Sequence, residues 1–149
     1  DEAVTPMCVP ELLDGSHPIR IPADLRHHTL IHDDTLSRHW PDAPAWSKWL
    51  TLAHQPLRDE DAGLHFDHSD HCMDAALMGS GVMLGRRAMA SRDIELGRLV
   101  APFELDLPFE GGIYSVTTQE KASNPDVAAF RDWLREEAAA MRMGLPPGA

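Results

Sequence analysis

An α/β fold is the class this sequence predicts. In residues 64–103 (LHFDHSDHCMDAALMGSGVMLGRRAMASRDIELGRLVAPF) short apolar runs alternate with helical periodicity, in the order strand, helix, strand, helix, strand. Residues 64–66 read as the first strand, and the DHSD that follows supplies helix N-cap chemistry. Cys72, Ala75 and Ala76 then share one helical face until Gly79 and Gly81 end the helix. Val82, Met83 and Leu84 form a strand apolar enough to be buried on both faces. Two strands joined through a helix are most simply parallel, with a right-handed crossover. In such sheets ligands bind beyond the carboxyl ends of the strands, where unpaired helix amides attract an anion or a carbonyl. Ser69 falls at that place.

The other elements follow in chain order. Residues 4–9 (VTPMCV) predict a strand leading into a turn or short helix at 10–13, and Pro22 can open a helical turn before a strand at 29–32 (TLIH). A polar loop is expected over 33–43. Trp46, Trp49, Leu50 and Ala53 then recur as the inward face of an amphipathic helix, and 56–63 reads as a surface connection. Residues 90–96 predict a helix stopped by Gly97, followed by a strand at 99–103, a loop through Gly112 and a strand at 113–117 (IYSVT). Asn124-Pro125 starts a terminal helix striped by Val127, Phe130, Leu134, Ala138 and Met141.

Composition narrows the function. The chain has 149 residues, enough for one domain with a real core or two lobes sharing it unequally. A formal net charge of −11 makes it repel phosphate backbones, so it offers no nucleic-acid surface of its own. Cys8 and Cys72 lack CxxC spacing and point to a reducing cytoplasm, and no apolar run is long enough for a membrane span.

Taken together, TPMCVPELL, PADLRHHTLIHDD, WSKWL, FDHSDHCMDAALMGSGVMLGRR, DIELGRLVAPF, IYSVT and VAAFRDWLREE resemble the effector-binding domain of LysR-type transcriptional regulators. The likeness is to the subfamily of the glycine-cleavage activator and the β-lactamase regulator. It spans nearly the whole chain, in family order. It implies a type II periplasmic-binding-protein-like fold, two α/β lobes joined by crossing strands with an effector between them. Residues 5–110 correspond to the second lobe and 111–143 to the returning strand and helix of the first. The winged helix-turn-helix and most of the first lobe have no counterpart in these residues, so DNA contact is expected only through that missing domain. The resemblance also implies a homodimer or homotetramer, with the helices around Cys72 and Val127 as candidate contacts, a cytoplasmic setting, and no enzyme activity or cofactor.

The resemblance places Ser69 and Tyr114 at the base of the cleft and the FDHSD segment, with Asp67 and His68, among the pocket contacts. Physically, the Ser69 hydroxyl adds a directional donor or acceptor to helix amides, and Tyr114 offers a phenol. A small carboxylate- or amide-bearing effector is expected. Cys8, Val9 and Pro10, at the end of the entering strand, and His32, at the end of the next, are rim candidates from strand-end geometry alone. Each has a plain structural reading beside the functional one: Ser69 as an N-cap, Tyr114 as a core residue, Arg86 and Arg87 as a salt-bridged edge. His65, His68 and His71 recur every third residue, but a strand histidine and a helix histidine need not converge, so no metal site is expected. A transporter's solute-binding protein, which shares the fold, and a histidine-dependent metal enzyme are the alternatives.

Overall fold

The computed structural model describes residues 2–37, 43–56, 62–109 and 114–144. Contacts divide the chain into two units, Glu2–Glu110 and Gly111–Ala149, each described by itself.

The first unit is built on a five-stranded mixed sheet. Its strands are β1 (Glu2–Met7), β2 (Leu30–Asp33), β3 (Leu64–Phe66), β4 (Val82–Arg86) and β5 (Leu107–Phe109), in spatial order β3-β2-β4-β1-β5. β2 runs parallel to both β3 and β4, whereas β1 is antiparallel to β4 and β5. The strands at 64–66 and 82–86 are therefore parallel as expected, but β2 is seated between them. Leu30 and Ile31 are both buried, one toward each face, which requires cover on both sides of a central strand.

Alternation along the strands feeds two cores. Leu30 and Val82 join Trp46, Trp49, Leu50, Leu25, Ile19 and Phe103 on one face. Ile31 and Met83 join Cys72, Ala75, Ala76, Ala90 and Leu99 on the other. The first core is closed by α2 (Trp46–Leu52), after a single helical turn α1 (Asp34–Ser37) that lies in the stretch expected to be loop. Both indoles are inward and both N–H groups are satisfied: Trp46 donates to the Ile31 carbonyl at 2.9 Å, Trp49 to that of Leu105 at 3.0 Å. The second core is closed by α3 (Ser69–Leu77) and α4 (Arg87–Glu95). The expected face of α3 is the buried one: Cys72, Ala75 and Ala76 lie against the sheet, small residues that let the helix approach closely. Gly79, at φ +73°, ends this helix in the left-handed conformation that other residues resist.

Residues 99–103 are not the strand that was expected. Only Val100 bridges Cys8, because Pro102 has no N–H to extend the ladder, while Leu99 and Phe103 are anchored in opposite cores. The pairing resumes at β5, inside the stretch read as loop, where Leu107 to Phe109 meet the first half of β1. Arg87, at the start of α4, grips Asp106 through two bonds of 2.8 and 2.9 Å, confirming the salt-bridge reading of that arginine.

The second unit contains α5 (Gln119–Ala122) and α6 (Pro125–Gly144). Asn124 Oδ1 accepts from the Asp126 amide at 2.9 Å, the start signal read from Asn124-Pro125. Along α6, Val127 and Leu134 are half-buried, but Phe130 is 59% exposed, Ala138 is exposed, and the side chain of Met141 lies outside the described residues. The expected strand at 113–117 is absent over its described part: Tyr114 to Thr117 carry no strand pairing. Apolar alternation makes a strand only where another strand accepts its hydrogen bonds.

Candidate functional site

The carboxyl ends of β2 and β3 come together with the N-terminus of α3. Asp33 pairs with Phe66 across the two strands, and the next residues are Asp34 on one side and Asp67-His68-Ser69 on the other. The Ser69 hydroxyl donates to Asp33 Oδ2 at 2.5 Å, and Asp33 Oδ1 accepts the Thr35 amide at 3.0 Å. Asp33 thus holds α1 and α3 to one point at the end of the sheet.

Ser69 does not cap its helix. His68 is the N-cap residue, with φ −139° and ψ 130° and no side-chain cap bond, and Ser69 is the first helical residue. Its hydroxyl is drawn to a carboxylate on the neighbouring strand instead of to its own helix amides, because a charged acceptor makes the stronger bond. The negative charge that a helix N-terminus attracts is already present as Asp33, with Asp70 in the first turn.

Histidines surround this point. His32 and His65, opposite each other in β2 and β3, stack with ring centroids 4.1 Å apart, and His65 Nδ1 lies 3.1 Å from Asp34 Oδ2. His68 Nδ1 lies 2.9 Å from Asp67 Oδ1, and the His68 and His71 rings are 5.2 Å apart. Of the predicted residues, Ser69, Asp67, His68 and His32 are therefore gathered at one strand end. Asp33, Asp34 and His71 join them; His71 was weighed only as a metal ligand and the two aspartates were missed, although the HDD that closes a buried strand was their readable signal.

Pro10 is placed elsewhere. Because β1 is antiparallel to β4, its carboxyl end reaches the amino ends of the parallel strands, the opposite edge of the sheet from Ser69. There Pro10 borders a groove of about 720 Å³ with Leu12, Leu77, Met78 and Arg98. Strand-end geometry misled because it was applied without the strand's direction. Tyr114 belongs to the second unit and is 79% exposed.

Neither cysteine suits nucleophilic chemistry. Burial pushes the Cys8 thiol up to about 11, and burial, then Asp33 and Asp34, push that of Cys72 up to about 12. The Cys72 thiol donates weakly to the His32 carbonyl, with 3.5 Å between sulfur and oxygen. It is a packing group under the site.

The LysR substrate binding domain model matches residues 1–139. The chain belongs to the LysR substrate-binding domain family. It is 38% identical over 139 residues to the glycine cleavage system transcriptional activator of Escherichia coli K12, covering 93% of this chain and 43% of that protein. It is 32% identical over 142 residues to the transcriptional activator AmpR of Pseudomonas aeruginosa, covering 95% and 44%. The chain spans less than half the length of these curated relatives. Among solved structures, the effector domain of P. aeruginosa AmpR superposes with TM-score 0.66 at 28% identity, over 97% of this chain and 65% of that one. The regulatory domain of CrgA from Neisseria meningitidis, at 18% identity and TM-score 0.58, shares the fold over 92% of this chain and 66% of its own. This LysR chain therefore has the type II periplasmic-binding-protein-like fold, and its relatives are transcriptional regulators, not transport proteins. Among the described residues, no helix is long and apolar enough to cross a membrane.

Proposed function

We propose that this chain is the effector-sensing domain of a cytoplasmic LysR-type transcriptional regulator, and that the effector is recognised at the Ser69–Asp33 junction. One observation carries the placement: a hydroxyl and a carboxylate are bonded to each other where two parallel strands end and a helix begins. Ligands of open α/β sheets enter at such strand ends. An effector that takes over the Ser69 hydroxyl or the Asp33 carboxylate exchanges one good hydrogen bond for another and changes what α1 and α3 hold in common.

The charges select between the effector chemistries suggested by the sequence. Asp33, Asp34, Asp67 and Asp70 all stand at this edge, and a bare carboxylate would approach four others. An amide N–H or an ammonium donates to Asp33 instead, so the amide-bearing or zwitterionic class fits better. Tyr114 would contribute its phenol from the returning segment. Pro10 is dropped from the set because it lies at the other edge of the sheet.

DNA is bound through a winged helix-turn-helix outside this sequence, and effector binding shifts the geometry of a dimer or tetramer by favouring one arrangement of the effector domains. Residues 5–110 act as the second lobe, and 111–143 are the returning segment of the first. The test is a thermal-shift screen of amino acids, amides, peptides and cell-wall fragments, followed by titration of each hit into Ser69→Ala and Tyr114→Phe. Ser69→Ala is expected to weaken binding about tenfold, the loss of one hydrogen bond to a charged or polar partner. Unchanged affinity in both variants would refute the placement.

A further inference from the structure

We infer that the Asp67-His68-Ser69-Asp70-His71 turn is a binding site for a zinc-class divalent ion, held by Asp67, His68 and His71. One ligand atom from each of these residues lies within 4.8 Å of the others. The arrangement follows from the backbone. Asp67 follows the last residue of β3, His68 is the N-cap of α3, and His71 stands one helical turn further on, so all three emerge on the same side of the strand-to-helix turn. The contact between His68 Nδ1 and Asp67 Oδ1, at 2.9 Å, already turns two of them together, and the His68 and His71 ring centroids lie 5.2 Å apart with their planes tilted by 47°. Ligand atoms bound about 2.1 Å from one tetrahedral ion are roughly 3.4 Å apart, so small side-chain rotations close the set. All three side chains are exposed.

Donor type and charge agree. Two imidazoles and one carboxylate suit zinc, cobalt, nickel or copper and not magnesium or calcium, which take all-oxygen shells. Asp33, Asp34 and Asp70 stand at the same strand ends, in a chain of net charge −11, so the surroundings favour a cation. The triplet of His65, His68 and His71, set aside in the sequence because a strand histidine and a helix histidine need not converge, does not come together. His65 belongs to the strand and turns to Asp34 and His32, and Asp67 takes its place. The remaining coordination positions would face solvent, open to water or a donor atom of a small ligand. The site stands on this geometry and not on the effector reading.

Isothermal titration of zinc chloride into the tag-free chain tests it, with His71→Ala, His68→Ala, His65→Ala and His27→Ala measured beside the parent. His27 is included because it stacks on His17 at 4.7 Å and forms the competing histidine patch. The expected result is one ion per chain, with affinity lowered at least about tenfold by either His71→Ala or His68→Ala, since losing even an outer-shell partner of a metal site costs about 10–100-fold. His65→Ala and His27→Ala should stay within about twofold. The positions are exposed, and unchanged circular dichroism verifies that the variants fold. Absence of saturable one-to-one binding overturns the inference, and so does a site abolished by His27→Ala or His65→Ala but not by His71→Ala. Ser69→Ala should retain zinc while binding effector more weakly, so the two readings fail separately.

Discussion

At the amino ends of β2 and β4 the chain closes on itself through backbone, whereas at the carboxyl end of β2 it closes through side chains that can be exchanged. At the first end Val82 N–H donates to the Thr29 carbonyl at 2.9 Å, and a Cβ on Gly81 would fall 2.3 Å from that same oxygen. Between these two residues there is no room for a side chain. At the second end Ser69, Asp33, Asp67, His68 and His71 interact with one another, half-buried or exposed, and each bond can be traded for one to a ligand. The same parallel strands thus carry stability at one edge and, in the function proposed above, recognition at the other.

Gly81→Ala should have the largest effect on the amino edge. Overpacking against a backbone oxygen that cannot retreat should cost about 3 kcal/mol, read as a lowered urea midpoint, and an unchanged midpoint would show that the amino edge is looser than described. Arg87→Ala comes next. It leaves Asp106, only 16% exposed, without its two-pronged partner and should cost about 2 kcal/mol while leaving ligand affinity intact. Ser69→Ala should cost about 1 kcal/mol or less, yet it should move effector affinity more than either other variant. A stability loss as large as that of Gly81→Ala would make Ser69 a structural residue.

The smallest effect concerns the two thiols, buried in the cores on opposite faces of the sheet. At pH 8 a thiol held at about 11 or above is ionised to the extent of roughly one part in a thousand, so neither Cys8 nor Cys72 should react with iodoacetamide until the chain unfolds. Their pH effect has a definite sign. In the unfolded chain these thiols lose protons above about pH 8.5 while the folded chain retains them, so stability should fall as the pH rises from there toward 11. A denaturation midpoint that rises with pH across that window would contradict the burial assigned to both.

Much of the fold was legible because local periodicity and burial coincide. The i, i+3, i+4 spacing of Cys72, Ala75 and Ala76 is the buried face of α3, the tryptophan pair of α2 is inward, and the apolar run at 82–84 lies within a strand covered on both sides. Where a signal needed a partner to be realised, it misled. Residues 113–117 alternate like a strand, but their described part pairs with none, and 99–103 yield a single bridge where a proline interrupts the donors. Within the site, Ser69, Asp67 and His68 were readable as a polar turn between strand and helix, and the family likeness gave them a role. Asp33 was not singled out, since nothing local marks one aspartate of a pair as the acceptor for a serine 36 residues away.

By itself the sequence determined the helical faces, the strand–helix alternation, the acidic character and the family, all properties of neighbouring residues or of their order. Only the tertiary structure decided that β2 sits between β3 and β4, that Pro10 belongs to the opposite edge, and that Asp67 rather than His65 joins His68 and His71. Those facts depend on strand order and direction. Both are fixed by which buried faces must be covered, and that is a property of the whole sheet.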